Sequence, residues 1–354
     1  MFRLFVIAAL LNCACLPLSV PACTTFCVEN AGTLVFGKNY DWSADAGLFV
    51  VNKRGVAKQS DPTTDGGRTI SWTSRFGSTT FNQFGREFPS GGMNEAGLVI
   101  ELLWLNETKY PAPDDRPSVS LLTWIQYQLD TKKSVAELLA SDTEIRITDH
   151  SSGRCHFLVA DASGAVAAVE FLEGALVAHT GEDLVAPVLA NDRYDRSAKY
   201  LGQHRGFGGS RRPMKTAASL DRFVRGADSW RHEVRDPVEH AFATLAEVSQ
   251  GSRTKWSIVY DIHDRVVHYR TYRSSARKHF AFSDADFSCD TPVRFLDLNA
   301  DVAGDLNEHL VPYDPALNLS IITDACRNIS FLKHLEPAVL REWSDLGQMT
   351  SCVQ

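Results

Sequence analysis

The 354-residue chain is 44% hydrophobic and 22% charged, enough apolar side chains for a large buried core. With 43 acidic against 36 basic residues and a net charge of −7, it has no run of five Lys or Arg, which argues against nucleic acid as a partner. The 11 His are scattered without His-Glu-x-x-His spacing and phosphate-binding glycine loops are absent, so neither a metal nor another cofactor is implied.

In chain order, residues 1–22 carry one cation, Arg3, an apolar stretch Leu4–Leu11 and a small-residue site Val20-Pro21-Ala22. That is the layout of a secretory leader removed just before Cys23, leaving a single domain over 23–354 that is secreted or periplasmic. No later apolar run is long enough to cross a bilayer, so stable membrane insertion is not expected. Val20-Pro21-Ala22-Cys23 is also close to a lipobox, in which Cys23 would carry a lipid and the protein would be an inactive, anchored binding module.

Thr24–Val28 and Thr33–Phe36 read as strands around the turn Glu29-Asn30-Ala31-Gly32, followed by Leu48–Asn52 and Gly97–Trp104. The proline-rich stretch from Pro111 to Pro117 is a surface crossing; Ser120–Leu129 and the segment after the capping box Ser134-Val135-Ala136-Glu137 are helices. Cys155–Ala160 and Ala165–Phe171 form a hairpin, Leu184–Ala190 is a strand ending at Asn191, and the glycine-rich stretch from Arg205 to Pro213 is a loop. Leu220, Phe223, Val224 and Ala227 have helical spacing, as do Val238, Ala241, Phe242, Leu245 and Val248 after Asp236-Pro237. A last hairpin pairs Trp256–Tyr260 with Val266–Tyr272, before a loop-rich C-terminal part. Strands and helices alternate in blocks, which predicts an α+β fold with antiparallel sheets. Of the 8 Cys, Cys13 and Cys15 leave with the leader, and Cys27 and Cys155 sit in strands as small hydrophobes. Cys289, Cys326 and Cys352 supply one disulfide whose pairing stays open.

A thiol attacks as thiolate and needs a base beside it, and a chain-terminal Cys has one in its own α-amino group, with a reference pKa of about 7.7–8.0. Cleavage after Ala22 makes Cys23 such a residue. Asp41, in Gly37-Lys38-Asn39-Tyr40-Asp41-Trp42, returns on the second strand of the hairpin, where a carboxylate orients the amine. Read alone, it is an ordinary turn Asp.

The sequence resembles the choloylglycine hydrolase family, which includes penicillin V acylases and bile salt hydrolases of the N-terminal nucleophile class. The likeness lies in Cys23-Thr24-Thr25, in the segment from Gly37 to Trp42, in Gly92-Met93-Asn94-Glu95-Ala96-Gly97-Leu98, in Leu189-Ala190-Asn191 and in Arg222-Phe223-Val224-Arg225. The resemblance implies a four-layer αββα sandwich and hydrolysis of a linear amide of a small N-acyl compound without a cofactor. It implies Cys23 as nucleophile and base, Asp41 as orienter, Asn191 as oxyanion donor and Arg222 as a cation near the thiol. A cation in the first turn of a helix opposes the macrodipole, so Arg222 is expected to be held by a carboxylate or by function. Lys38 stands where the family has Arg and keeps the charge but not the planar fork. Trp104 falls at a substrate-binding position where an aromatic goes with acylases of penicillin V and N-acyl homoserine lactones. Bile salt or N-acylethanolamine hydrolysis is the alternative. The family is often tetrameric, and the sequence leaves the oligomeric state open.

Overall fold

The first two strands, Thr24–Asn30 and Thr33–Asp41, pair antiparallel in continuous register from Thr24 opposite Asn39 to Asn30 opposite Thr33. Gly32 enters the second strand from a left-handed φ of 86°, which an L side chain resists. Gly37 is required by its neighbour: a Cβ there would lie 2.6 Å from the Phe26 ring across the strand pair. The computed structural model describes residues 23–30, 32–60, 68–149, 153–232 and 234–353; the leader reading on residues 1–22 lies outside them.

This hairpin is the heart of a seven-stranded sheet. Its spatial order is Val188–Leu189, Thr24–Asn30, Thr33–Asp41, Thr254–Asp261, Val266–Thr271, Lys278–Ala281 and Gly304–Asp305. A nine-stranded sheet runs Ala175–Thr180, Val166–Leu172, Cys155–Ala160, Val99–Trp104, Gly91–Asn94, Ser78–Asn82, Leu48–Asn52, Arg294–Asp297 and Val311–Pro312. The two meet through interlocked rings. Phe49 and Phe81 of the larger sheet lie 5.9 Å from Tyr269 and 6.1 Å from Tyr260 of the smaller, and Phe49 also meets Phe280 at 5.4 Å. Such pairs each add about 0.5–1.5 kcal/mol beyond their area burial.

Helices cover both outer faces. Ser219–Trp230 and Pro237–Glu247 bury Phe223, Val224, Ala227, Ala241, Phe242 and Leu245 against the smaller sheet. Leu121–Thr131 buries Trp124, Ile125 and Leu129 against Ile100, Phe157 and Val169 of the larger, and Pro315–Arg327 buries Ile321 and Ala325 against Leu48, Val50 and Phe295. The architecture is thus the expected αββα sandwich of α+β class. Ser120 and Ser134 are N-caps, accepting from Thr123 N and Glu137 N. The capping box closes differently from its pattern, because Glu137 reaches back to Lys133 N.

Two expectations are corrected. Leu184–Ala190 is not a continuous strand: only Val188 and Leu189 pair, opposite Phe26 and Thr25, because Pro187 has no N–H to donate and a single turn occupies 181–183. The C-terminal part is not loop-rich, since Pro315–Arg327 and Pro337–Leu346 are helices that start with Pro in their first turn. The open cysteine pairing resolves to Cys289–Cys352, while Cys326 is free and buried, as are Cys27 and Cys155.

Candidate active site

With Thr24 opposite Asn39 and Thr25 opposite Lys38, strand alternation puts Cys23, Thr25, Lys38 and Tyr40 on the face between the sheets. Thr24, Asn39 and Asp41 take the helix-facing side. The bonds follow this division: Lys38 Nζ donates to Leu102 O of the opposing sheet, and Asn39 Nδ2 donates to Leu245 O of the covering helix at 2.7 Å.

Cys23 is buried at the head of its strand, its Sγ 3.9 Å from the Asp41 carbonyl oxygen. Arg222, fully buried, reaches back from the first turns of its helix and ties the site together. Its Nη1 donates to Cys23 O at 2.5 Å and to Thr24 Oγ1, its Nη2 to Asn191 Oδ1 at 2.9 Å, and its Nε to Ala217 O at 3.1 Å. These partners are neutral oxygens, so no carboxylate bonds Arg222, although Asp41 acts on it through space.

Because guanidinium only donates, the Asn191 atom facing it is Oδ1, which aims Nδ2 at Trp104 O, 2.8 Å away. That bond uses one of the two Nδ2 hydrogens and leaves the second for a ligand. The Asp41 carboxylate accepts from Thr254 Oγ1 and, at 2.8 Å, from Gln250 Nε2. Lys38 is 3.5 Å from Glu101 Oε2, and Glu101 Oε1 accepts from Tyr260. The Trp104 ring lies 5.9 Å from that of Trp42, and Tyr40 stacks on Trp256 at 4.3 Å.

Burial pushes the Cys23 thiol up; Lys38 is the strongest influence in the other direction, with Asp41 raising it further and Arg222 lowering it. Burial also raises Asp41 against Thr254, Arg222 and Gln250, and lowers Arg222 against Asp41. Glu101 is pushed up to about 7 by burial, opposed by Lys38 and Tyr260. Among the described residues no group of three His, Cys, Asp or Glu is placed to hold a metal ion, and no helix is long and apolar enough to cross a membrane.

Cys23, Lys38, Asp41, Trp104, Asn191 and Arg222 are therefore brought together. Sequence reasoning missed Glu101, Thr254, Gln250 and Trp42, which complete the setting. Trp42 was readable from its place directly after Asp41.

An αββα sandwich with a buried thiol heading an inner strand is the architecture of the N-terminal nucleophile hydrolases. Within that class the chain belongs to the linear amide C–N hydrolases, choloylglycine hydrolase family, whose model matches residues 23–229. It is 28% identical over 227 residues to a penicillin V acylase of Pectobacterium atrosepticum, a match covering 58% of this chain and 59% of that protein's length. It is similar in structure to a penicillin V acylase from Agrobacterium tumefaciens, with a TM-score of 0.71 and 25% identity over 82% of this chain and 98% of that one. A mutant conjugated bile acid hydrolase from Clostridium perfringens shares the fold, with a TM-score of 0.64 and 16% identity over 80% of this chain and 99% of that one.

Proposed function

We propose that this protein hydrolyses the linear amide bond of small N-acyl compounds with the Cys23 thiol, exposed as first residue of an exported mature chain, and that penicillin V and N-acyl homoserine lactones are its substrates. The observation that carries the reading is the convergence of one thiol, two cations and an amide donor on the inner mouth of the first strand. The family match supports it by beginning at Cys23, and two relatives described above are penicillin V acylases.

With Ala22 attached, the nitrogen of Cys23 is a peptide nitrogen without basicity and burial holds the thiol protonated. Release of the leader turns that nitrogen into an amine, which takes the thiol proton. Lys38 and Arg222 favour the resulting thiolate. Attack on the substrate carbonyl places negative charge on its oxygen, which the second Nδ2 hydrogen of Asn191 receives. The ammonium gives its proton to the leaving nitrogen as the C–N bond breaks, and water, deprotonated by the amine, then releases the acyl group from the thioester. Trp42 and Trp104, their rings tilted at 37° to one another, offer an aromatic wall, which fits a phenoxy group or an acyl chain and leaves little room for a steroid.

The test is the intact mass and N-terminal peptide of protein exported with its own leader, followed by assay against penicillin V, an N-acyl homoserine lactone, a conjugated bile salt and an N-acylethanolamine. An unmodified Cys23 terminus with cleavage of the first two supports the reading. Lipid on Cys23 without hydrolysis makes the protein an anchored binding module, and cleavage of the bile salt or N-acylethanolamine alone overturns the substrate assignment.

A further inference from the structure

Behind the turn that carries Asn191 lies an ionisable pair with no part in the chemistry above. His156, in the strand Cys155–Ala160, is fully buried, with Nε2 2.7 Å from Ala190 O and Nδ1 3.1 Å from Glu170 Oε1. A carbonyl oxygen only accepts, and so does a carboxylate, so each contact must contain a proton. Either His156 is an imidazolium donating both ways, or Glu170 holds the second proton. Either way both contacts are closed by a proton, so the link from Ala190 O through His156 to Glu170 is continuous.

Glu170 Oε1 also accepts from Tyr194 N at 3.0 Å. One carboxylate thus grips residue 194 directly and residue 190 through His156, on either side of Asn191. The remaining groups facing the pair are His179, whose Nε2 is 3.5 Å from Glu170 Oε2, and Tyr194, whose ring lies 4.6 Å from that of His179. The Asn191 backbone is fixed separately, its N donating to Ser219 Oγ at 2.8 Å. We infer that His156 and Glu170 are positioning residues: as a buried hydrogen-bonded pair they lock the Ala190–Tyr194 turn so that the second Nδ2 hydrogen of Asn191 points at the substrate oxyanion. The inference rests on the amide-hydrolase reading. A buried pair is a costly way to stabilise a turn, and fixing the geometry of one donor is what it supplies in return.

The experiment compares wild type, His156→Gln, Glu170→Gln and the double variant, each as the mature full chain, for thermal melting, kcat, KM and the iodoacetamide alkylation rate of Cys23. Misplacement of an oxyanion donor is expected to lower kcat about 10–100-fold with KM within about twofold. Alkylation needs no oxyanion donor and stays at the wild-type rate, and the double variant loses no more than the worse single one. Wild-type kcat in folded variants, or parallel loss of kcat and alkylation, overturns the inference. Nitrogen-15 spectra of histidine in the wild type test the link without any variant: His156 Nε2 should carry the proton that faces Ala190 O, and a bare Nε2 overturns it. If the wild type cleaves no amide, the hydrolase reading fails while the His156 spectrum is still readable.

Discussion

Two buried lysines, Lys58 and Lys38, are treated differently by this fold. Lys58 meets Glu87 at 2.7 Å and Asp130 at 3.0 Å, and Asp130 is itself held at 2.8 Å by both Trp72 Nε1 and Gln126 Nε2. Lys38 has a single carboxylate, Glu101, at 3.5 Å, together with the Leu102 carbonyl. Burial would lower the Lys58 ammonium, yet its two carboxylates carry it above the ordinary lysine range. Lys38 instead acts as the largest charge lowering the Cys23 thiol. A buried charge closed off by partners serves the fold, whereas one left loosely paired has field to spare for a neighbour.

The sharpest break of that comparison is at the thiol. Cys23→Ser should lower hydrolysis of any amide the wild type cleaves by at least about 10⁴-fold with little change in melting temperature, because the hydroxyl fits the space but is a far weaker nucleophile. Turnover near wild type would move the chemistry elsewhere. Next comes Asn191→Ala, expected to cost about 10²–10³ in kcat as the oxyanion donor is lost. A change confined to KM would instead make Asn191 a ground-state contact.

The lysines themselves should separate the two kinds of buried charge. Lys58→Met strands two carboxylates and should cost about 3–5 kcal/mol in denaturant unfolding, with kcat of the folded fraction unchanged. The loss should shrink as pH falls and Asp130, already raised by burial, takes up a proton. Lys38→Met strands only Glu101, whose carboxyl already stands near 7 and can simply protonate, so the stability cost at pH 7 should be smaller. Its effect should fall on Cys23, whose alkylation at pH 7.5 should slow about tenfold, the equivalent of one pKa unit. Equal stability losses in the two variants would erase the distinction.

The first hairpin, the helix carrying Arg222 and the last hairpin were legible because apolar periodicity and turn residues specify them locally. Asp41 could be set beside Cys23 from the hairpin, whereas Lys38, Trp104, Asn191 and Arg222 were assigned through the family resemblance, because they come from segments far apart in the chain. The supporting charges were signalled but not read. Glu101 sits alone in Val99–Trp104 and Glu170 alone in Val166–Leu172, and a single carboxylate inside an apolar strand announces a buried charge in need of a partner. Who the partner is depends on pairing between distant segments, as for Lys38 with Glu101. The Cys289–Cys352 bond is similar: it depends on Ser351–Cys352 pairing with Val56–Gln59 at the far end of the chain. Asp314-Pro315 carries the same start signal as Asp236-Pro237, and its helix spreads apolar residues over two faces, packing Ile321 on the larger sheet and Ile322 towards Leu340 of the last helix.

The smallest expected effect is the finest test of how Lys38 is used. Glu101 is raised from 4.5 to about 7, so between those values the folded chain holds a proton that the unfolded chain has released. This group's contribution to stability therefore falls as pH rises through that window, and Glu101→Gln should flatten that slope. Reactivity follows the same switch. Below pH 7 a neutral Glu101 leaves the Lys38 charge acting on Cys23, and above it the carboxylate offsets that charge. Glu101→Gln should thus raise Cys23 alkylation about two- to fivefold at pH 8 and hardly at all at pH 6. Adding Lys38→Met should abolish the gain, since Glu101 acts on the thiol chiefly by compensating that one ammonium. A gain that is equal at both pH values, or that survives without Lys38, would show that Glu101 reaches the thiol by some other path.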